Sequence, residues 1–266
     1  MNNQRVKLVI ALHKKYEVPS DEMYLPLHVG SEINKVELGY QKDNEGENIS
    51  KKNPNFCELT ALYWAWKNLD FDYIGLVHYR RYFSLSKTKS ILDVLSYNQI
   101  KDFVPKIRIF VPKKRRYYIE TVYSQYSHSF HQEHLELSRE VIKQKFPEYL
   151  ESFDYVMKQR SAYMFNMMIM EKQLLDKYCT WLYSVLSDLE SMIDVSKYDA
   201  FHARCFGRIS ERLFNVWLQY MISKGEVSKD EIKELPYVYM GKINWPSKIY
   251  HFLLAKIFGL KYKKSF

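Results

Sequence analysis

The sequence predicts an α/β domain built on a mixed, mainly parallel sheet, and three observations carry that reading. Short, almost wholly apolar runs recur at residues 6–12 (VKLVIAL), 73–77 (YIGLV) and 107–111 (IRIFV), as strands covered on both faces require. Stretches with apolar residues at helical spacing lie between and after them. Each run ends in a cluster of cations and aromatic rings. That is where an open α/β sheet binds ligands, just beyond the carboxyl ends of its strands. The chain has 266 residues, 47% hydrophobic and 27% charged, enough for one large core and outside the disordered class.

In chain order, the first strand runs into His13-Lys14-Lys15-Tyr16, either a solvated turn or part of a site. Residues 24–30 (YLPLHVG) are extended, because Pro26 biases Leu25 away from helix. Gly30 permits a turn or the close approach of a ligand to the backbone. Residues 41–55 are polar with mixed charge and predict a mobile loop able to close over a ligand. A calcium loop starting at Asp43 would need glycine at residue 48 and glutamate at residue 54, which are Asn48 and Pro54. Asn55 is the expected cap of a helix carrying Leu59, Leu62, Tyr63, Trp66 and Leu69. The strand at 73–77 follows, then His78-Tyr79-Arg80-Arg81-Tyr82-Phe83.

Residues 88–104 predict a helix, and the strand at 107–111 runs into Lys113-Lys114-Arg115-Arg116-Tyr117-Tyr118. Four consecutive cations are the strongest anion-binding signal in the chain, although a solvated basic loop or a nucleic-acid patch has the same composition. Residues 119–150 read as helical, with His128, His131 and His134 crowded on one side. No HExxH motif or cysteine pair accompanies them, so polar contacts to a sugar or phosphate are favoured over a metal. Residues 163–170 (YMFNMMIM) form an apolar strand whose single Asn166 must find hydrogen bonds. Residues 174–192 form an amphipathic packing helix. Ser210 reads as the cap of a further helix with Glu211 in its first turn. The tail, 241–266, has the pattern of a basic amphipathic helix on an anionic membrane or docked on its own domain, 1–240.

Net charge is +9, which suits nucleic acid, an anionic membrane or phosphorylated substrates. Cys57, Cys179 and Cys205 are odd in number and far apart, against a disulfide scaffold and for a reducing compartment. The opening apolar run is too short for a signal peptide and no stretch reaches membrane-spanning length, so the expected location is cytoplasmic.

Three blocks together, FCELTALYWAWKN…DYIGLVHYRRYF, YMFNMMIM with YCTWLY, and GRISERLFNVWL, resemble the DUF4422 family of bacterial glycosyltransferases of capsule, exopolysaccharide and lipopolysaccharide biosynthesis. The resemblance spans residues 5–222, and HYRRYF at 78–83 is its most specific motif. It implies a GT-A-like, Rossmann-like nucleotide-sugar transferase domain, with UDP-galactofuranose among the family's donors. The expected partners are a UDP-sugar, a glycan or lipid-linked oligosaccharide acceptor, and the inner face of the cell membrane, bound peripherally through the tail; no nucleic acid is expected. Asp70-Phe71-Asp72 has the spacing of a metal-binding D-x-D motif but precedes its strand, on the edge away from the ligand crevice. The expectation is therefore transfer without a cofactor or metal, with Mn²⁺ or Mg²⁺ as the alternative.

On this reading His13, Lys14, Gly30, His78, Tyr79, Arg80, Arg81, Lys114 and Arg115 bind the donor, because guanidinium forks match phosphate oxygens. Tyr163, Asn166 and Glu58 line the sugar or acceptor pocket. Glu211 is the expected general base, with His131 and His134 as substitutes. Two other classes fit the composition: a basic nucleic-acid or polyanion binder, and a noncatalytic scaffold on a membrane surface.

Overall fold

The computed structural model describes residues 4–86, 88–104 and 106–241. The expected basic helix of 241–266 lies, apart from Gly241, outside the described residues. The central sheet has strands β1 (Val6–Leu12), β2 (Tyr24–His28), β3 (Gln41–Lys42), β4 (Tyr73–His78), β5 (Arg81–Phe83), β6 (Ile109–Pro112), β9 (Met168–Glu171), β10 (Ile232–Leu235) and β11 (Tyr237–Tyr239). A separate ribbon pairs β7 (Arg115–Arg116) with β8 (Ser161–Ala162). The main path is β10-β6-β9-β4-β1-β2-β3. Along it only β9 opposes the common direction, being antiparallel to both β4 and β6. The carboxyl ends of β1, β2, β4 and β6 therefore share one edge, together with the chain entering β9.

Apolar residues on both faces of β1 account for its central place. Val9 and Ala11 join a core covered by helices, and Leu8, Ile10 and Leu12 join a second core on the other face. The helices are α1 (Asn53–Phe56), α2 (Leu59–Asn68), α3 (Tyr97–Ile100), α4 (Val122–Ser129), α5 (Glu133–Lys145), α6 (Leu150–Lys158), α7 (Lys172–Met192) and α8 (Cys205–Ser223). Most pack on the Val9 face. The opposite face is closed by the segment after β5, through Leu95, Ile100 and Val104.

Several expectations are corrected. Residues 41–55 are not a mobile loop. Asp43 is fully buried and accepts hydrogen bonds from the Gly30 and Ser31 amides and from the Ser31 and Ser50 hydroxyls. The polar composition includes a buried hydrogen-bond hub at Asp43 and Ser50, while Glu45, Glu47 and Lys51 remain exposed. Asn55 caps no helix: the chain turns at Cys57 and α2 begins at Leu59. Residues 88–104 hold only a short helical turn and α3, capped by Ser96 and Gln99, while Leu92 is 85% exposed. The helix expected over 119–150 breaks at the extended Phe130, so the three histidines do not share one helix. Residues 163–170 are not one strand, since Phe165 and Asn166 take left-handed φ values of 75° and 52° before β9 begins. Ser210 caps nothing: α8 starts at Cys205, which places Ser210 and Glu211 inside the helix.

Candidate functional site

The shared edge carries a cation cluster built from three segments. His13 and Lys14 follow β1, and Tyr79 and Arg80 make the turn between β4 and β5. Arg204 stands at the start of α8. Tyr16 stacks on Tyr79 with ring centroids 4.1 Å apart, and His13 meets Tyr79 edge-on at 5.1 Å. The Arg80 guanidinium lies 5.1 Å from the Tyr79 ring centre and 3.4 Å from the Tyr16 hydroxyl. Burial lowers the pKa of His13, and Lys14, Arg204 and Arg80 lower it further. Four cationic or protonatable groups thus crowd one another. Among the described residues none of His13, Lys14, Arg80 and Arg204 forms an ion pair with a carboxylate. Arg208, one turn beyond Arg204 on α8, lies 4.3 Å from the Phe130 ring and 4.0 Å from that of Phe201, and burial lowers its pKa. Cations outside any ion pair, beside stacked aromatic rings, suit a phosphorylated ligand carrying a flat ring, although Cys57 and Glu58 raise the pKa of Arg204.

Behind the cluster is a network of buried and half-buried polar groups, in which Arg212 Nε alone of that guanidinium's nitrogens has no partner. Asn166 donates to Glu58 Oε1 at 2.7 Å and to the Gly207 carbonyl at 2.9 Å, and its Oδ1 accepts from Ser210 Oγ at 2.9 Å. The Phe165 amide donates to Glu211 Oε1 at 2.9 Å, and Arg212 donates to Glu211 Oε2 at 2.6 Å. His78 Nε2 bonds the Phe165 carbonyl, while Arg81 lies 4.4 Å from the Phe165 ring and 4.9 Å from that of Tyr239. Left-handed backbone at Phe165, and the unusual φ of 55° at Cys57, persist only where surroundings over-determine them. Here the network and its rings do so. Arg204 Nε donates to Cys57 Sγ at 3.2 Å, which ties the cation cluster to the same frame.

The structure brings His13, Lys14, Tyr79, Arg80, Glu58, Asn166 and Glu211 to this edge. His78 and Arg81 are there too, but they support the Phe165 turn. Gly30 follows β2 on the same edge in a tight turn at φ 66°, where an added Cβ would lie 2.7 Å from Asn53 Oδ1, and Asn53 in turn donates to the Cys57 carbonyl. Lys114 and Arg115 are exposed on the β7–β8 ribbon, with Lys114 lying 4.8 Å from the Tyr163 ring centre. Tyr163 donates its hydroxyl to Glu234 and its backbone is held by Asn215. His131 and His134 belong to a different group. His131 stacks on Tyr198 at 4.5 Å, and buried His134 bonds the Tyr126 and Tyr198 hydroxyls. Tyr16 belongs to the candidate cluster after the first strand, whereas Arg204 and Arg208 beside it are not singled out by the sequence reading. The spacing Arg204, Arg208, Glu211 was their signal, since it aligns all three on one helix face.

Asp70 and Asp72 sit at the amino edge, bonded to Arg5 at 3.4 and 2.6 Å. Two carboxylates of the network behind the cluster are Glu58, held by Asn166, and Glu211, held by Arg212. Among the described residues no three His, Cys, Asp or Glu side chains converge as metal ligands.

Together the fold and the edge define a GT-A-like α/β domain with a cluster of cations at the sheet's carboxyl end. The chain belongs to DUF4422, a domain of unknown function whose family matches residues 7–222. It is similar to a solved structure described as the WbbM bifunctional glycosyltransferase in its apo form, with 30% sequence identity and a TM-score of 0.82. The similarity covers 90% of this chain and 46% of that one, so this chain spans about half of that protein's length. No curated protein matches. No helix among the described residues is long and apolar enough to cross a membrane.

Proposed function

We propose that this protein is a glycosyltransferase that moves a hexose, galactofuranose in the first instance, from a UDP-sugar to a hydroxyl of a lipid-linked glycan. The pathway would be capsule, exopolysaccharide or lipopolysaccharide assembly on the inner face of the membrane. The observation that carries the reading is the cluster of His13, Lys14, Arg80 and Arg204, unpaired with acid and set beside the Tyr16–Tyr79 stack. The similarity to a glycosyltransferase over nine-tenths of the chain supports it.

In this mechanism Arg80, Arg204 and Lys14 stabilise the charge that develops on the departing diphosphate. Glu58 takes the proton from the acceptor hydroxyl, its carboxylate aimed by the Asn166 amide at 2.7 Å. Glu211, with both oxygens engaged by Phe165 and Arg212, is a positioning residue that holds the Phe165–Asn166 turn. The guanidinium and ammonium groups neutralise the diphosphate without a metal.

The test is a thermal-shift series with UDP, UMP and oligonucleotides, followed by hydrolysis of a panel of UDP-sugars including UDP-galactofuranose. Stabilisation by UDP and cleavage of one donor support transfer; stabilisation by oligonucleotides alone would replace it with a nucleic-acid binder. Activity lost in EDTA and restored by Mn²⁺ would reverse the metal-free assignment.

A further inference from the structure

Beyond the crevice, the β7–β8 ribbon projects four cations into solvent. Lys113, Lys114, Arg115 and Arg116 are all exposed, and none pairs with a carboxylate among the described residues. The chain then reaches Tyr118, whose φ of 57° is left-handed. Tyr118 is 76% exposed and Ile119 62% exposed. Arg160, also exposed, donates to the Tyr118 carbonyl at 3.3 Å and adds a fifth cation beside the tip. By contrast the preceding Tyr117 is buried and fixed: its amide bonds the Arg160 carbonyl, and its hydroxyl donates to Met164 Sδ at 3.0 Å.

Backbone bent against preference, holding an aromatic and a β-branched aliphatic side chain in water, is costly without a partner. Exposed cations leading into an apolar tip, with Arg160 beside it, match one environment, the interface of an anionic bilayer. There Tyr lies at headgroup depth, Ile enters the acyl boundary, and Lys and Arg meet phosphates. Nucleic acid or a glycan would use the cations and Tyr118 but leave Ile119 without a role.

We infer that the β7–β8 ribbon and the Tyr118–Ile119 tip form a docking surface for an anionic phospholipid membrane, separate from the basic tail. The binding claim stands on the surface itself, and only its consequence rests on the proposed transferase reading. β8 leads within four residues to the Phe165–Asn166 turn, so docking would bring the crevice to the height of a lipid-linked acceptor.

The experiment is co-sedimentation of the full chain with vesicles of phosphatidylcholine containing about one third phosphatidylglycerol. At about fivefold per surface cation, Arg115→Gln/Arg116→Gln should weaken binding about 30-fold. Ile119→Ser should weaken it further, by about tenfold or less, without removing charge. The tail is present in every variant, so these losses report the ribbon. Tyr118→Trp should gain fluorescence that brominated lipid quenches beyond the parent level. Parental vesicle binding by both variants would overturn the inference, as would absence of that added quenching. So would loss of oligonucleotide binding with vesicle binding unchanged. A thermal shift by UDP equal to the parent's shows that the variants are folded. If UDP shifts neither parent nor variants while the vesicle losses appear, the transferase reading fails and the docking surface stands.

Discussion

Glu211→Gln separates a proton acceptor from a structural carboxylate. The Glu211 side chain is 15% exposed and that of Arg212 only 2%. Its two oxygens serve two donors, the Phe165 amide at 2.9 Å and Arg212 Nη1 at 2.6 Å. A glutamine has one acceptor oxygen, so one donor must lose its partner. The glutamine is neutral, so the buried Arg212 guanidinium loses its counter-charge whichever donor keeps the oxygen, while still donating to the Arg208 carbonyl and to Gln125 Oε1. That loss costs about 3–5 kcal/mol. For a domain of this size it is a fall in Tm of roughly 6–20 °C. The assay is thermal unfolding with and without UDP, beside steady-state turnover. We expect the lower Tm, a retained UDP shift, and turnover that falls only as far as the Phe165–Asn166 turn loosens. A variant that melts within about 1 °C of the parent yet loses roughly a thousandfold in turnover would refute the reasoning and make Glu211 the general base.

The remaining predictions test the other parts of the edge. Glu58→Gln should lose roughly 10²–10⁴ in turnover while Tm and the UDP shift stay close to parental; near-parental turnover removes Glu58 from proton transfer. His13 is held below its ordinary value of 6.5 by burial and by neighbouring Lys14, Arg204 and Arg80, and a bound diphosphate must raise it. UDP-sugar binding therefore takes up a proton and tightens as pH falls from about 7.5 to 6, whereas the free protein loses stability as pH falls through that ordinary value. Calorimetry in buffers of different ionisation heat measures the uptake, and equal heats, or uptake persisting in His13→Asn, would count against it. Asp43→Asn places an amide among four donors and should cost about 3 kcal/mol. Hydrogen exchange would then show protection lost across 41–55, whereas an unchanged pattern would restore the mobile-loop reading.

The strands were legible because their signal is continuous. Residues 6–12 and 73–77 are apolar on both faces, and both faces are covered. The ligand edge followed from them, since His13, Lys14, Tyr79 and Arg80 come directly after those runs. What escaped was polar order. Asp43 looks like a loop residue beside Asn44 and Glu45, and nothing local reveals that two amides and two hydroxyls from residues 30, 31 and 50 will enclose it. Asn166 lies inside an apolar run that reads as strand until its partners on α2 and α8 are known. Ser210 imitates a helix cap by composition, but its hydroxyl is needed by Asn166, and α8 begins a full turn earlier.

The crevice thus joins two opposite designs. Behind it, both polar side-chain atoms of Asn166 have partners, and a left-handed turn is held by Glu58 just before α2 and by Gly207, Ser210 and Glu211 on α8. In front, cations from three separate segments stand together, none in an ion pair with a carboxylate among the described residues, although Glu58 is near enough to help raise the pKa of Arg204. A locked frame lets that repulsion persist, because loops free to relax would swing the charges apart or onto a carboxylate. His13 carries the cost, since its pKa is lowered by Lys14, Arg204 and Arg80 besides burial, and an entering anion would relieve it. Binding of a diphosphate should therefore stabilise the fold by more than the contacts alone suggest. The gain should shrink as salt screens the free state, and Arg204→Gln should diminish both the gain and its salt dependence.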